Sequence, residues 1–431
     1  MKDITQKIRS LLDRLAVYGV AGAKWLILSV TVGVICGLVG SGFHIAVELV
    51  TEFRLGHRWV IFLLPAAGLL AVFIYDRLGT ESMNTDTVLR EIQSGEGISV
   101  KLLPAIFLTT VLTHLAGGSA GREGAALQMG GTLGYSAGRL MKLDDRGRRT
   151  ATMIGMAAFF SALFGTPVAA AVFTLEVVSV DLVYHGALLP CLISTLTSFG
   201  VSLLLGVEPT GFDVTMPEMT AFTVVKVAVL ALICGLAAML FCETLHLSEK
   251  AFHRYLKNKW VRAAAGGAIL LGLTLLLGTS DYNGAGMGVI ARAVENGQAE
   301  PAAFFWKLIF TAVTLSVGFK GGEVVPSFFI GATFACVVGP MLGIPAGFAA
   351  SVGLIAVFCG AVNCPIASSV LAVEMFGGEG LLFYALACAV SFVFSGSLSI
   401  YSSQRAVYDR LKHQLIDRHT NGYFQSELSD K

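Results

Sequence analysis

Charge is scarce in this chain. Only 14% of its 431 residues are Asp, Glu, Lys or Arg, against roughly 25% in an ordinary soluble domain, and that excludes a surface wetted on all sides. Other features are missing too. The eight cysteines (Cys36, Cys191, Cys234, Cys242, Cys336, Cys359, Cys364 and Cys388) all lie in apolar segments, with neither metal-ligand spacing nor a disulfide framework, and read as small core residues. The histidines (His44, His57, His114, His185, His246, His253, His413 and His419) are scattered, and none falls in a His-x-x-x-His unit. No nucleophile stands at a plausible spacing from a base, so an intramembrane enzyme is disfavoured. Nothing implies a metal or another cofactor. A net charge of +1 suggests no nucleic-acid partner, and the first residues do not have the build of a cleavable signal peptide.

What is abundant is apolar sequence. Hydrophobic residues make up 55% of the chain and the mean hydropathy is +0.74. A spanning helix needs about 20 mostly apolar residues. Candidate runs fall at 25–50, 59–75, 102–120, 151–175, 186–206, 221–242, 263–278, 302–319, 327–361, 365–377 and 381–400. Several are too short, or too broken by glycine, to cross a bilayer unaided. The 49 glycines fit a membrane bundle, where small residues let helices approach closely. The expected fold is an all-α membrane protein in contact with lipid.

Basic residues cluster at Lys2–Arg14, Arg139–Arg149, Lys250–Arg262 and Arg405–Arg418. The positive-inside rule assigns these segments, and with them both termini, to the cytoplasm. Lys2 to Arg14 reads as a short amphipathic helix. The expected organisation is an N-terminal cytoplasmic segment (1–24), two transmembrane repeats (25–206 and 207–403) and a cytoplasmic tail (404–431).

The two repeats are legible as motifs about 200 residues apart. Gly121-Arg122-Glu123-Gly124 is matched by Gly321-Gly322-Glu323-Val324. Phe164-Gly165-Thr166-Pro167 corresponds to Ala361-Val362-Asn363-Cys364-Pro365, and Phe173 to Glu176 to Leu371 to Glu374. Both Pro-to-Glu intervals are 9 residues, and the Glu-to-Pro intervals are 44 and 42. Repeated halves with Gly/Pro-interrupted apolar segments point to a transporter, because broken helices then meet near the midplane with their N-termini facing an anion. The first N–H groups of a helix lack partners, and the aligned peptide dipoles add partial positive charge there.

Glu123 lies between two apolar runs, where an ionisable side chain is costly to insert. At a helix start its carboxylate would compete with an anion for the same dipole and leave on taking a proton; the plainer reading is a loop glutamate beside Arg122, itself a structural or interfacial partner. Glu323 is either a second acid–base group on one pathway or a first-turn cap paired with Lys320. Glu176 and Glu374, closing the Pro-x8-Glu units, suit packing and salt bridges. Asn84 either caps the helix that follows it or offers its amide N–H groups to an anion. Tyr401, taken alone, is an interface-belt tyrosine. His114 suits a buried, hydrogen-bonded position.

As an ordered set these motifs resemble the CLC family of chloride channels and proton-coupled anion exchangers, over roughly residues 25–405. Gly121-Arg122-Glu123-Gly124 is similar to the family's G-K/R-E-G-P motif, with Ala125 for the usual proline. Gly322-Glu323-Val324-Val325-Pro326 aligns with G-x-F-x-P. Departures indicate the branch. Ser82-Met83-Asn84-Thr85-Asp86 stands where chloride-type members have G-S-G-I-P, and Gly321 to Pro326 is similar to the Gly-Gly-Glu-Val-x-Pro of the CLC-F fluoride exporters. Val177 occupies the place of the chloride exchangers' internal proton glutamate. Val325 stands where fluoride-type members often have Thr.

The resemblance implies a CLC-type inverted repeat and a homodimer with one pathway per subunit. The implied activity is fluoride export across the inner membrane in exchange for protons, the alternatives being a chloride/proton exchanger or a passive anion channel. It also implies roles. Glu123 is gate and proton carrier, and Glu323 the second proton-linked group. Asn84 and Tyr401 line the inner gate and with Met83 are anion-binding positions, and the backbone N–H groups of Val324 and Val325 face the anion; Gly121, Arg122, Gly124, Gly322, Pro326, Glu176 and Glu374 are motif or structural positions.

Overall fold

The structure, a computed structural model, describes residues 2–180, 183–408, 410 and 415–420, with the backbone alone for 2–18, 20–21, 407–408 and 415–419. Sixteen α-helices form among the described residues, eight in each half. The first half comprises α1 (Lys2–Gly56), α2 (Leu64–Leu78), α3 (Thr85–Ser94), α4 (Leu102–Ala116), α5 (Glu123–Leu140), α6 (Asp145–Phe164), α7 (Pro167–Glu176) and α8 (Leu188–Leu204). The second comprises α9 (Ala221–Tyr255), α10 (Lys259–Leu277), α11 (Met287–Glu295), α12 (Ala303–Ser316), α13 (Val324–Met341), α14 (Ala346–Val362), α15 (Pro365–Phe376) and α16 (Leu381–Phe394). An antiparallel ribbon of β1 (Arg405–Tyr408) and β2 (Leu415–His419) follows. Among the described residues this ribbon and two isolated bridges are the β-structure in an otherwise helical fold, and Val180 N–H donates to the Arg405 oxygen at 2.9 Å to tie the ribbon to the first half. The rest of the expected tail, from 421 onward, lies outside the described residues.

Several expected runs divide. The run 151–175 breaks at Gly165, which takes φ +68 and ends α6, and Pro167 then opens α7. The run 327–361 breaks at Gly343, φ +66, and Pro345 into α13 and α14. Proline lacks the N–H that a continuing helix would use, so both breaks are local in origin. At the N-terminus the reverse holds: α1 runs unbroken through residue 24, and Lys2 to Arg14 is its first part.

Among the described residues six segments are long and apolar enough to cross a membrane: Gly22–Gly56, Arg58–Leu78, His185–Leu204, Ala221–Tyr255, Lys259–Leu277 and Val324–Met341. The ten residues of α7 rise only about 15 Å, half of a ~30 Å hydrocarbon core, so such helices reach the interior and stop. α5 is not among the expected runs, because Gly, Gln and Thr dilute its apolar pattern, yet it is mostly buried. It packs on α6 through a seam with no room for side chains: a Cβ on Gly155 would lie 2.1 Å from the Gly130 carbonyl oxygen. The second half repeats the seam between α13 and α14, where a Cβ on Gly353 would lie 2.3 Å from the Gly331 oxygen. Backbone-to-backbone packing of this kind holds membrane helices together where water supplies no hydrophobic drive.

Candidate functional site

Helix starts in this bundle are of two kinds. α3, α6, α9 and α10 are capped by their own side chains, Asn84, Asp144, Thr220 and Asn258. α5, α7, α13 and α15 have no side-chain cap of their own. All four open at the repeated motifs.

Two of the four are capped from the opposite half. Glu374, near the end of α15, accepts hydrogen bonds from Val168 N–H and Ala169 N–H of α7 at 2.9 and 2.8 Å. Glu176, at the end of α7, accepts from Ile366 N–H and Ala367 N–H of α15 at 3.2 and 2.8 Å. The Pro-x8-Glu spacing therefore sets a reciprocal capping pair. Neither glutamate joins an ion pair among the described residues; backbone donors take the place of the expected salt bridges.

The other two of these four helices, α5 and α13, meet head to head. Gly121 and Gly322 exchange backbone hydrogen bonds, Gly121 N–H to Gly322 O at 2.7 Å and Gly322 N–H to Gly121 O at 2.8 Å. Only glycine fits here. A Cβ on Gly322 would sit 2.4 Å from Gly124 N, and one on Gly124 would sit 2.9 Å from Gly322 Cα.

This crossing aims Glu123, the first residue of α5, at the start of α13. Its Oε2 accepts from Val325 N–H at 3.4 Å, and its Oε1 is buried without a partner. The carboxylate thus occupies the place an anion would take at that helix start, with Val324 and Val325 buried around it. Pro326 falls in the first turn of α13, where a missing N–H costs no helical bond. Arg122 precedes α5, half-buried.

Glu323 takes the matching place in the second half, directly before α13, but its side chain caps nothing. Its Oε2 is buried and unpartnered, and a Cβ on Gly124 would lie 3.4 Å from it. Lys320, the alternative partner, lays its ammonium over the Tyr75 ring at 4.4 Å and forms no ion pair with Glu323 among the described residues.

Two cavities approach this point. The first, about 690 Å³, is lined by Met83, Asn84, Gln128, Lys320, Glu323 and Tyr401 among others. The second, about 660 Å³, is lined by Arg54, His114, Arg122, Glu123 and Val325 with parts of the 206–212 and 280–292 segments. They lie at opposite ends of α10, which starts beside the first cavity's His253 and ends beside the second's Ser280.

Asn84 is a cap and also faces the first cavity. Its Oδ1 accepts from Thr87 N–H at 3.2 Å in a capping box, which leaves its amide N–H groups for the cavity. Tyr401 is 2% exposed, too deep for an interface belt, and its hydroxyl is buried without a hydrogen-bond partner. Met83 is half-buried on the same wall. His114 is buried, with Nε2 3.4 Å from the Gly121 oxygen. Val177 is buried and apolar, with no carboxylate at its position.

Sequence reasoning passed over three side chains. Lys307 is fully buried in α12 and donates to the carbonyls of Tyr282 and Gly284 at 3.2 and 2.6 Å; a lysine inside the run 302–319 was its signal. Asp86 accepts from Ser403 N–H at 2.8 Å and ties α3 to the chain after Tyr401, and a pairing 317 residues apart leaves no local trace. Arg54 is 7% exposed at the end of α1, and its burial leaves no signal in the sequence.

An inverted pair of broken helices around a buried carboxylate defines an anion-transport architecture, and known proteins share it. A profile of the Voltage gated chloride channel family matches residues 67–396. The chloride/fluoride channel protein of Pseudomonas syringae pv. tomato is 34% identical over 90% of this chain and 88% of its own. The H(+)/Cl(-) exchange transporter ClcA of Vibrio vulnificus is 25% identical over 91% and 90%. Among solved structures, a CLC-type fluoride/proton antiporter superposes with a TM-score of 0.86 and 32% identity, covering 89% of this chain and 98% of that one. A slow cyanobacterial Cl-/H+ antiporter superposes at 0.76 with 16% identity, over 94% and 98%, a likeness of fold. The protein belongs to the CLC family.

Proposed function

We propose that the protein is a fluoride/proton antiporter, exporting fluoride across the inner membrane as protons enter. One observation carries the reading: the Glu123 carboxylate sits on the Val325 N–H at the start of α13, between two cavities on opposite faces, with the unpartnered Glu323 carboxylate on one of them. A side chain holding an anion's place must be displaced for the anion to pass, and a carboxylate can be displaced by protonation. That ties ion movement to proton movement. Glu323 supplies the second proton-linked group where Val177 offers none. Asn84 and Tyr401 line the approach from the first cavity, with N–H and O–H donors for the ion.

The first cavity faces the cytoplasm in this reading, since Lys250 and Lys320 line it and the basic clusters lie at its end of α9 and α10. Both termini are then cytoplasmic. The working unit is a homodimer with one pathway per subunit, embedded in lipid through exposed side chains such as Leu196, Leu204 and Leu382. Fluoride is favoured over chloride by the absence of a G-S-G-I-P serine and by the 32% identity with a fluoride/proton antiporter. Chloride/proton exchange is the second reading, favoured by the printed function of the Vibrio relative.

Proteoliposomes loaded with equal fluoride and chloride, with anion and pH electrodes outside, test this. Fluoride efflux much faster than chloride, accompanied by proton uptake, is the expected result. Equal rates would overturn the fluoride assignment, and efflux without proton uptake would overturn exchange.

A further inference from the structure

The second cavity holds a charged side chain that the exchange cycle does not use. Arg54 is 7% exposed. Its Nε is buried and unpartnered, and among the described residues it forms neither a hydrogen bond through its side chain nor an ion pair. A buried charge normally carries a partner, because its lost hydration is otherwise uncompensated. Lys307, on the same side of the molecule, obeys that rule through two carbonyls. Arg54 does not.

The acidic side chains lining the cavity do not pair with it. Asp281 is held by Arg292 at 2.7 Å, Glu48 lies 3.5 Å from His44, Glu123 lies on Val325, and Glu52 and Glu208, which also line the cavity, form no ion pair with Arg54 among the described residues. Glycines clear the space around the guanidinium: a Cβ on Gly284 would come 2.9 Å from Nη2, and one on Gly117 would come 3.5 Å from Nη1. Both glycines adopt positive φ, +63 and +94, which few other residues tolerate.

We propose that Arg54 forms an outer binding site for a small monovalent anion, within the second cavity and separate from the α13 helix start. The ligand class follows from the donor. A guanidinium is planar, permanently charged and more weakly hydrated than an ammonium, so it attracts an anion without demanding a second carboxylate-sized group. Its place in the cavity that Glu123 also lines makes it a staging point for an ion released at the gate. The proposal rests on the anion-transport reading for that purpose, but the binding itself does not require transport.

Calorimetric titration of sodium fluoride, and separately sodium chloride, into the detergent-solubilised full-length protein tests it. In wild type and in Glu123→Gln, Arg54-dependent binding is expected. In Arg54→Gln one binding event weakens by about ten-fold, the scale of a lost charge-assisted hydrogen bond; Arg54→Lys, which keeps the charge, weakens it less. Size-exclusion elution reports folding, and if Arg54→Gln aggregates the Lys variant alone decides, any measurable weakening supporting the site. Unchanged stoichiometry and affinity in the folded variant overturn it, as does wild-type protein that binds neither anion. Vesicles that exchange anions normally beside an Arg54-independent isotherm would remove the site and leave the function. Arg54-dependent binding in a protein that moves no anion would do the opposite.

Discussion

Gly121 and Gly322, 201 residues apart in sequence, hold each other by two backbone hydrogen bonds of 2.7 and 2.8 Å. That bridge joins the two halves where α5 and α13 begin, and fixes which helix start each glutamate can reach. Gly322→Ala would drive a Cβ to 2.4 Å from Gly124 N, a backbone contact that no rotamer change relieves. The expected outcome is a loss of about 1–3 kcal/mol or more in stability together with loss of flux. Gly272→Ala in α10, where a Cβ meets nothing within 4 Å, is expected to leave thermal unfolding in detergent unchanged or slightly raised. Equal unfolding temperatures for the two variants would show that the crossing is not tight.

Glu123→Gln removes the group that protonation must displace. Wild-type efflux is expected to fall as pH rises, because deprotonation returns the carboxylate to Val325 N–H. In the glutamine variant efflux nearly stops or becomes independent of pH. Efflux measured at several pH values in vesicles checks the sign, and a normal pH-coupled flux would exclude Glu123 as the gate.

Glu323→Gln and Glu323→Ala are expected to abolish coupled exchange while the protein remains folded and extractable, since the side chain caps no helix. Proton uptake and fluoride efflux are recorded together. A folded variant that still takes up protons as fluoride leaves would make Glu323 a bystander and send the proton path through Glu123 and water.

Asn84 separates two roles by chemistry. Asp caps helices about as well as Asn but has no amide N–H and adds a negative charge to the first cavity. Asn84→Asp should keep stability and weaken fluoride transport. Asn84→Ala should lose both, with about 1 kcal/mol in stability. If Asn84→Asp transports like wild type, the residue is a cap alone.

Glu374→Ala uncovers two N–H donors at the start of α7. An unsatisfied buried donor costs about 1–3 kcal/mol, so the variant should unfold at lower temperature, and Glu176→Ala should do likewise through α15. The ratio of fluoride to protons among surviving molecules should not change. A changed ratio would place these carboxylates on the ion path.

Much of this protein was written along the chain. Low charge and long apolar runs determine that it lives in lipid, because no other solvent accepts that surface. The doubled motifs determine that two similar halves exist, and Gly165, Pro167, Gly343 and Pro345 determine where helices break, since backbone conformation at those residues is a local matter. Spacing alone marked Glu123 and Glu323 as an odd pair. Partners were decided elsewhere. Whether a carboxylate finds a basic side chain, a helix start or nothing depends on which elements lie opposite it, and sequence distance carries no record of that. So Glu176 and Glu374 turn out to cap each other's half, Glu123 rests on Val325, and Asp86 binds residues 317 positions away. Asn84 keeps both of its readings, since it caps α3 and also lines the first cavity, while the burial of Tyr401 appears only in the fold. Arg54 became exceptional only when the folded chain closed around it without supplying a counter-charge, because burial is a property of the whole packing and not of any one segment.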